Sequence, residues 1–122
     1  MQYLMMLYAD ESGWNALTEA QQREGVAAYG AYTEALSRAG VLVGRNRLES
    51  VSSATTVTLV DGKSRVLDGP YLDSKEQLGG YYLIDVANLD DAIAWAARCP
   101  AASHGTIEVR PVFQTCGSTV DA

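Results

Sequence analysis

Six apolar residues in succession, Tyr3-Leu4-Met5-Met6-Leu7-Tyr8, leave a strand with no polar face. Such a strand belongs in the middle of a sheet, covered above and below. The polar stretch from Ala9 to Asn15 reads as a loop, and Thr18-Glu19-Ala20-Gln21 is a capping box that opens a long helix. Helical spacing puts Ala28, Tyr29, Tyr32, Ala35, Leu36 and Ala39 on its inner stripe, with Gly40 placed for the left-handed cap. Val41-Leu42-Val43 continues as a second strand. Arg45-Asn46-Arg47 interrupts it with charge before a Ser/Thr-rich link.

Alternation returns from Thr55 to Val60. Asp61-Gly62 then predicts a type I′ hairpin turn, which needs positive φ at both residues, and Ser64 to Leu67 should pair back. Gly79-Gly80 marks a bulge or a close backbone approach at the start of a strand running to Val86. That strand carries Tyr82, Ile84 and Val86 on one face and Tyr81, Leu83 and Asp85 on the other. Asn88 caps a second helix with the stripe Leu89, Ala92, Ile93, Ala96 and Cys99, Pro100 ends it, and Gly105 to Val112 is the last strand.

The resulting order is β-α-β, hairpin, β-α-β. This is a ferredoxin-like split βαβ plan with an inserted β-hairpin, an α+β domain over residues 1–113 with a short polar tail at 114–122. Two helices cover one face of a four-stranded sheet, yet two of the strands are apolar on both. A second copy of the chain is the commonest cover for the other face, and the inserted hairpin is the alternative.

Composition narrows the partners. At 122 residues, with 48% hydrophobic and 20% charged positions, the chain suits one globular domain. A net charge of -6 argues against nucleic acid and anionic membranes, which need a basic footprint. Cys99 and Cys116 are too few and too far apart for a zinc site or a disulfide scaffold, and read as structural. No basic region precedes the first apolar run, and no run is long enough to span a bilayer, so the expected compartment is the cytoplasm. No phosphate loop, nucleophile elbow or metal-binding motif calls for a cofactor or a metal.

Candidate chemistry gathers in Asp68 to Gly80, DGPYLDSKEQLGG. Asp68-Gly69-Pro70 must turn sharply, with Gly69 free to take positive φ. Ser74-Lys75-Glu76-Gln77 fits a capping box, which predicts one short helical turn. Asp68, Asp73, Lys75 and Glu76 suit an acid/base and charge-binding cluster that Asp10 could join, or else ordinary turn and helix-surface chemistry. His104, the only histidine, is the one side chain whose ordinary pKa suits proton transfer near neutrality; the alternative is an exposed loop residue. Arg110 and Glu108 share one face of the last strand, as an interface ion pair or as an arginine set for a carboxylate or phenolate. Tyr8, Tyr71, Tyr81 and Tyr82 line a cleft or fill a dimer core. The candidate catalytic groups are therefore Asp68 and His104, and the candidate ligand-binding groups Tyr8, Asp10, Lys75, Glu76 and Arg110.

The run DGPYLDSKEQLGGYYLIDV, with WAARCP and GTIEVRPV, resembles the DGPF branch of the YCII-related family over nearly the whole chain, with Tyr71 where the family name has Phe. The resemblance implies a dimeric α+β barrel, hence a homodimer. Other members carry a His-Asp pair with a histidine in the first helical region, which the helix from Thr18 to Ala39 lacks. It also implies two functions. One is a small-molecule binder or cofactor-free enzyme for phenolic or quinone-like compounds. The other is a non-catalytic regulatory or sensing module associated with an extracytoplasmic-function sigma factor.

Overall fold

The computed structural model describes residues 1–114; Cys116 and nearly all of the expected polar tail lie outside them. Four strands form one antiparallel sheet: β1 (Gln2–Ala9), β2 (Leu42–Arg47), β5 (Gln77–Asp85) and β6 (Thr106–Pro111), in the order β2-β5-β1-β6. β1 and β5 are the two central strands, as their two-sided apolar character requires. They pair through Tyr3 with Ile84, Met5 with Tyr82 and Leu7 with Gly80. The register slips after Leu7, because Tyr8 faces Leu78 and Gly79 is passed over as a bulge. Gly80 is held to glycine by close approach, since a Cβ there would come within 2.8 Å of the Asn46 carbonyl oxygen.

Helices α2 (Glu19–Arg38) and α3 (Leu89–Arg98) cover one face of this sheet. Thr18 and Gln21 form the expected capping box on α2, and Asn88 caps α3 by accepting from the Asp91 amide at 2.9 Å. The core lies between these layers. Tyr3, Met5, Leu7, Tyr82, Ile84 and Val86 come from the sheet side, Tyr32 and Leu36 from α2, and Ala92, Ala96 and Cys99 from α3 and its end. The helical stripes are narrower than the spacing predicts. Ala28 and Ala39 are exposed because only the middle of α2 crosses the sheet. Leu89 and Ile93 keep 47% and 51% of their surface in water, because α3 rests on the small side chains of Ala92 and Ala96.

Two other expectations need correction. Residues 9–15 are not a loop: Asp10 caps a short helix, α1 (Glu11–Asn15). Arg45-Asn46-Arg47 is not an interruption either, since these residues pair with Tyr82, Tyr81 and Gly80 as part of β2. An edge strand tolerates such polar residues because only one of its sides is laddered.

Strands β3 (Thr55–Val60) and β4 (Lys63–Asp68) form a separate two-stranded ribbon, turned at Asp61-Gly62 with φ of 52° and 77°. It is tied at its base by Gly69 N–H to the Ala54 carbonyl at 2.8 Å and by the Thr56 hydroxyl to the Gly69 carbonyl at 2.7 Å. Val57, Leu59, Val66 and Leu67 are all more than half exposed along it. The ribbon therefore does not cover the second face of the main sheet. That face, with Leu4, Met6, Tyr8, Tyr81 and Leu83, is only partly buried.

Candidate functional site at one end of the sheet

β1 runs antiparallel to β5 and β6, so its C-terminal end meets the starts of both. Ala9 pairs with Gln77, and Tyr8 with Leu78 and Thr106. Beyond this edge Asp10 turns the chain into α1, its Oδ1 accepting the Ser12 amide at 2.9 Å and the Ser12 hydroxyl at 2.6 Å. These two bonds hold the Asp10 carboxyl below the ordinary aspartate value, and the Lys75 ammonium adds to the effect. Asp10 is therefore a carboxylate at neutral pH.

The helical turn expected after Ser74 does not form, because Gln77 is drawn into β5. Its amide performs a different cap: Oε1 accepts the Glu11 N–H at 3.0 Å, one of the orphan donors of α1, while Nε2 donates to the Ser74 carbonyl at 2.8 Å. Glu11 in turn accepts the Val51 amide and the Ser50 hydroxyl, each at 2.9 Å. α1 is thus strapped to residues 74–77 on one side and to the turn at 50–51 on the other. Glu11 does not stand out in the sequence, and Gln77 does so only as a cap for its own segment; the available signal for α1 was Asp10-x-Ser12, which matches a capped helix start as well as a polar loop.

Glu76 accepts the Thr106 hydroxyl at 3.2 Å, which places its carboxylate beside the start of β6. His104 is exposed one residue ahead of Gly105, and a Cβ at Gly105 would collide with the Tyr8 carbonyl oxygen, so this corner sits tightly on the end of β1. Tyr8, Asp10, Lys75, Glu76 and His104 are all brought to this end of the sheet. Asp68 and Arg110 are not part of that group. Asp68 lies opposite Thr55 at the base of the ribbon and is exposed. Arg110 is four residues along β6 from Thr106, roughly 13 Å away at strand rise. It is ion-paired to Glu108 and lies opposite Leu4 on the open sheet face. The four tyrosines do not make one wall: Tyr8 and Tyr81 share the open face, Tyr82 is buried under the helices, and Tyr71 is 83% exposed.

On the covered face, burial raises the Tyr29 phenol to about 12 and pushes those of Tyr32 and Tyr82 up as well. Tyr32 donates to the Trp95 carbonyl at 2.7 Å, and the Tyr82 and Thr33 hydroxyls are hydrogen-bonded at 2.9 Å. The Cys99 thiol is likewise pushed up by burial, so at neutral pH it is a packed thiol and not a nucleophile.

Two grooves among the described residues are lined by other side chains. One, of about 670 Å³, lies between Trp14 of α1 and the start of α2, with Arg47 of β2 at its rim. The other, of about 620 Å³, lies at the opposite end of the sheet, beside Val41, Trp95 and Arg98.

The strand order and the two helices on one face define a ferredoxin-like α+β fold. The chain belongs to the YCII-related domain family, which matches residues 1–115. An uncharacterized protein of Rhizobium meliloti (strain 1021) is 36% identical over 114 residues, covering 92% of each chain. Among solved structures, the chain is similar to a 5-chloro-2-hydroxyhydroquinone dehydrochlorinase from Burkholderia phenoliruptrix AC1100, in complex with 2,5-dihydroxybenzoquinone. That likeness has a TM-score of 0.55 and 14% identity, over 94% of this chain and 96% of the other. No helix of the described residues is long and apolar enough to cross a membrane.

Proposed function

We propose that this chain binds, and acts as an enzyme on, a small phenolic or quinone-like compound, as a cytoplasmic homodimer. The supporting observation is the gathering of Tyr8, Asp10, Lys75, Glu76 and His104 at one end of the sheet. The fold adds support, since a protein of similar architecture was solved with a dihydroxybenzoquinone. The roles follow from chemistry. The Asp10 and Glu76 carboxylates accept ligand hydroxyls, the His104 imidazole takes a phenolic proton, and the Lys75 ammonium faces the resulting phenolate. The partly buried face carrying Leu4, Met6, Tyr81 and Leu83 is where the second copy packs, which gives Arg110 and Glu108 an interface role.

Calorimetric titration with 2,5-dihydroxybenzoquinone tests the binding. Lys75→Ala should weaken it by tenfold or more, the equivalent of roughly 1.5–3 kcal/mol for a hydrogen bond to a charged group. Absence of heat with that quinone and with a panel of phenols refutes the reading. Sedimentation at micromolar concentration should give twice the 13.1 kDa chain mass. One observation favours a second reading, a module that docks on an extracytoplasmic-function sigma factor: the exposed apolar side chains of the β3–β4 ribbon. A complex with such a factor that survives in the absence of any small molecule would favour it.

A further inference from the structure

We propose that the groove between α1 and the first turns of α2 seats a monocyclic aromatic anion, an ionised hydroxyquinone or an aromatic carboxylate, with Arg23 and Arg47 as its charge clamp. This rests on the reading above for the ligand class alone: the groove is a second place for such a ligand, lined by none of Tyr8, Asp10, Lys75, Glu76 and His104, and the charge state is new.

The arginines provide the first argument. Arg23 and Arg47, like every described Lys and Arg side chain except Arg38 and Arg110, make no ion pair with a described carboxylate; what sets them apart is that two such arginines face one groove. Both line the groove, and Glu19 is its one acidic member. Arg45, two residues before Arg47 on the edge strand β2, adds a third cation without an ion-pair partner among the described residues. Guanidinium groups left unneutralised beside a concavity are suited to a planar oxyanion, which they bind by paired, parallel hydrogen bonds.

The floor provides the second. The Trp14 indole, Val26 and Ala27 give an apolar surface, and Val26 is 56% exposed in the free chain. The indole is held in place from several sides. Gln22 Nε2 anchors the Trp14 backbone by donating to its carbonyl at 3.0 Å, and the Arg47 guanidinium stands 5.4 Å from the ring centroid. A Cβ at position 25 would come within 2.8 Å of the indole edge, so Gly25 is what lets the ring lie against α2. An aromatic wall fixed before the ligand arrives loses little rotamer freedom on binding. The groove is shallow and open along one side, so a single ring would lie along it with one edge toward water.

The test uses a Trp95→Phe background, which leaves Trp14 as the only indole. 2,5-Dihydroxybenzoquinone, whose enolic hydroxyls are vinylogous acids ionised at neutral pH, should quench Trp14 emission saturably. Neutral hydroquinone at the same concentrations should not. By calorimetry, Arg47→Gln and Arg23→Gln should each raise Kd at least tenfold, and Arg47→Lys should fall between Arg47→Gln and wild type, since it keeps the charge but loses the fork. Arg98→Gln, at the other groove, should bind as wild type. If wild type binds the quinone while Arg47→Gln and Arg23→Gln retain its affinity, this placement is overturned and the functional reading stands. If affinity falls in Lys75→Ala alone, the placement is likewise overturned. Failure of wild type to bind overturns both.

Discussion

Replacing Tyr32 by phenylalanine removes one oxygen from the centre of the molecule and little else. The ring keeps its edge-on contacts with Tyr82 at 5.3 Å and Trp95 at 6.3 Å, so the packing term is nearly unchanged. What is lost is the 2.7 Å bond from the Tyr32 hydroxyl to the Trp95 carbonyl. That carbonyl lies in the last turn of α3, where intrahelical donors run out and the Cys99 amide bonds to Ala96 instead. The variant therefore strands a helix-end acceptor beside a side chain that is only 5% exposed. Such an orphan costs about 1–3 kcal/mol, or a Tm lowered by roughly 4 °C per kcal/mol for a chain of this size. A urea titration followed by far-ultraviolet circular dichroism reads this as a lower midpoint at unchanged slope. Tyr29→Phe is the control, because that hydroxyl has no hydrogen-bond partner among the described residues, and its midpoint should move by less than about 0.5 kcal/mol equivalent. Equal losses in the two variants would refute the assignment of the Tyr32 effect to its hydrogen bond.

Gly105→Ala should destabilise by about 1–3 kcal/mol, since the added methyl meets the Tyr8 carbonyl oxygen and the Ala9 Cβ; a thermal melt equal to wild type would show that β6 shifts freely. Gly69→Ala, at φ 106°, should lower stability by on the order of 1 kcal/mol through backbone strain alone, whereas the exposed Lys75→Ala should stay within about 0.5 kcal/mol, and denaturant midpoints rank the two. In alkaline titration by phenolate absorbance, Tyr29 should ionise near pH 12 and Tyr32 and Tyr82 later than ordinary tyrosine. Because these phenols bind their protons more tightly folded than unfolded, their stabilising contribution is full below pH 10 and lost as pH rises toward 12 and beyond; stability unchanged across that range would contradict their burial.

The parts of the fold legible in the sequence are those where one residue pattern has one physical solution. An apolar run such as Tyr3 to Tyr8 fits only a central strand, Asp61-Gly62 fits a hairpin turn, and Thr18 with Gln21 fits a helix start. Where the same pattern has two solutions, tertiary contact decided. Ser74-x-x-Gln77 could cap its own helix, but sheet pairing with Ala9 took Gln77, and its side chain then capped α1 instead. Arg45 and Arg47 read as a break because charge is rare in strands, yet they pair as part of an edge strand, and Arg47 lines a groove that no linear spacing announces. The gathering of Tyr8, Asp10, Lys75 and Glu76 followed from strand ends meeting, and was legible once the strands were. The remoteness of Arg110 was not, because it depends on how far along β6 the residue falls from Thr106.

The β3–β4 ribbon has a dynamic consequence. A two-stranded ladder without a core opens on its own, and the bonds at its base, from Gly69 to Ala54 and from Thr56 to Gly69, close the ribbon on itself rather than fastening it to the main sheet. In amide hydrogen exchange, residues 57–66 should therefore trade their protons through local opening, at rates insensitive to mutations in the core. Met5 and Ile84, on the central strands, should exchange only when the whole domain unfolds. The molecule thus carries two clocks, and anything that comes to rest on the exposed valines and leucines of the ribbon would slow the fast one alone.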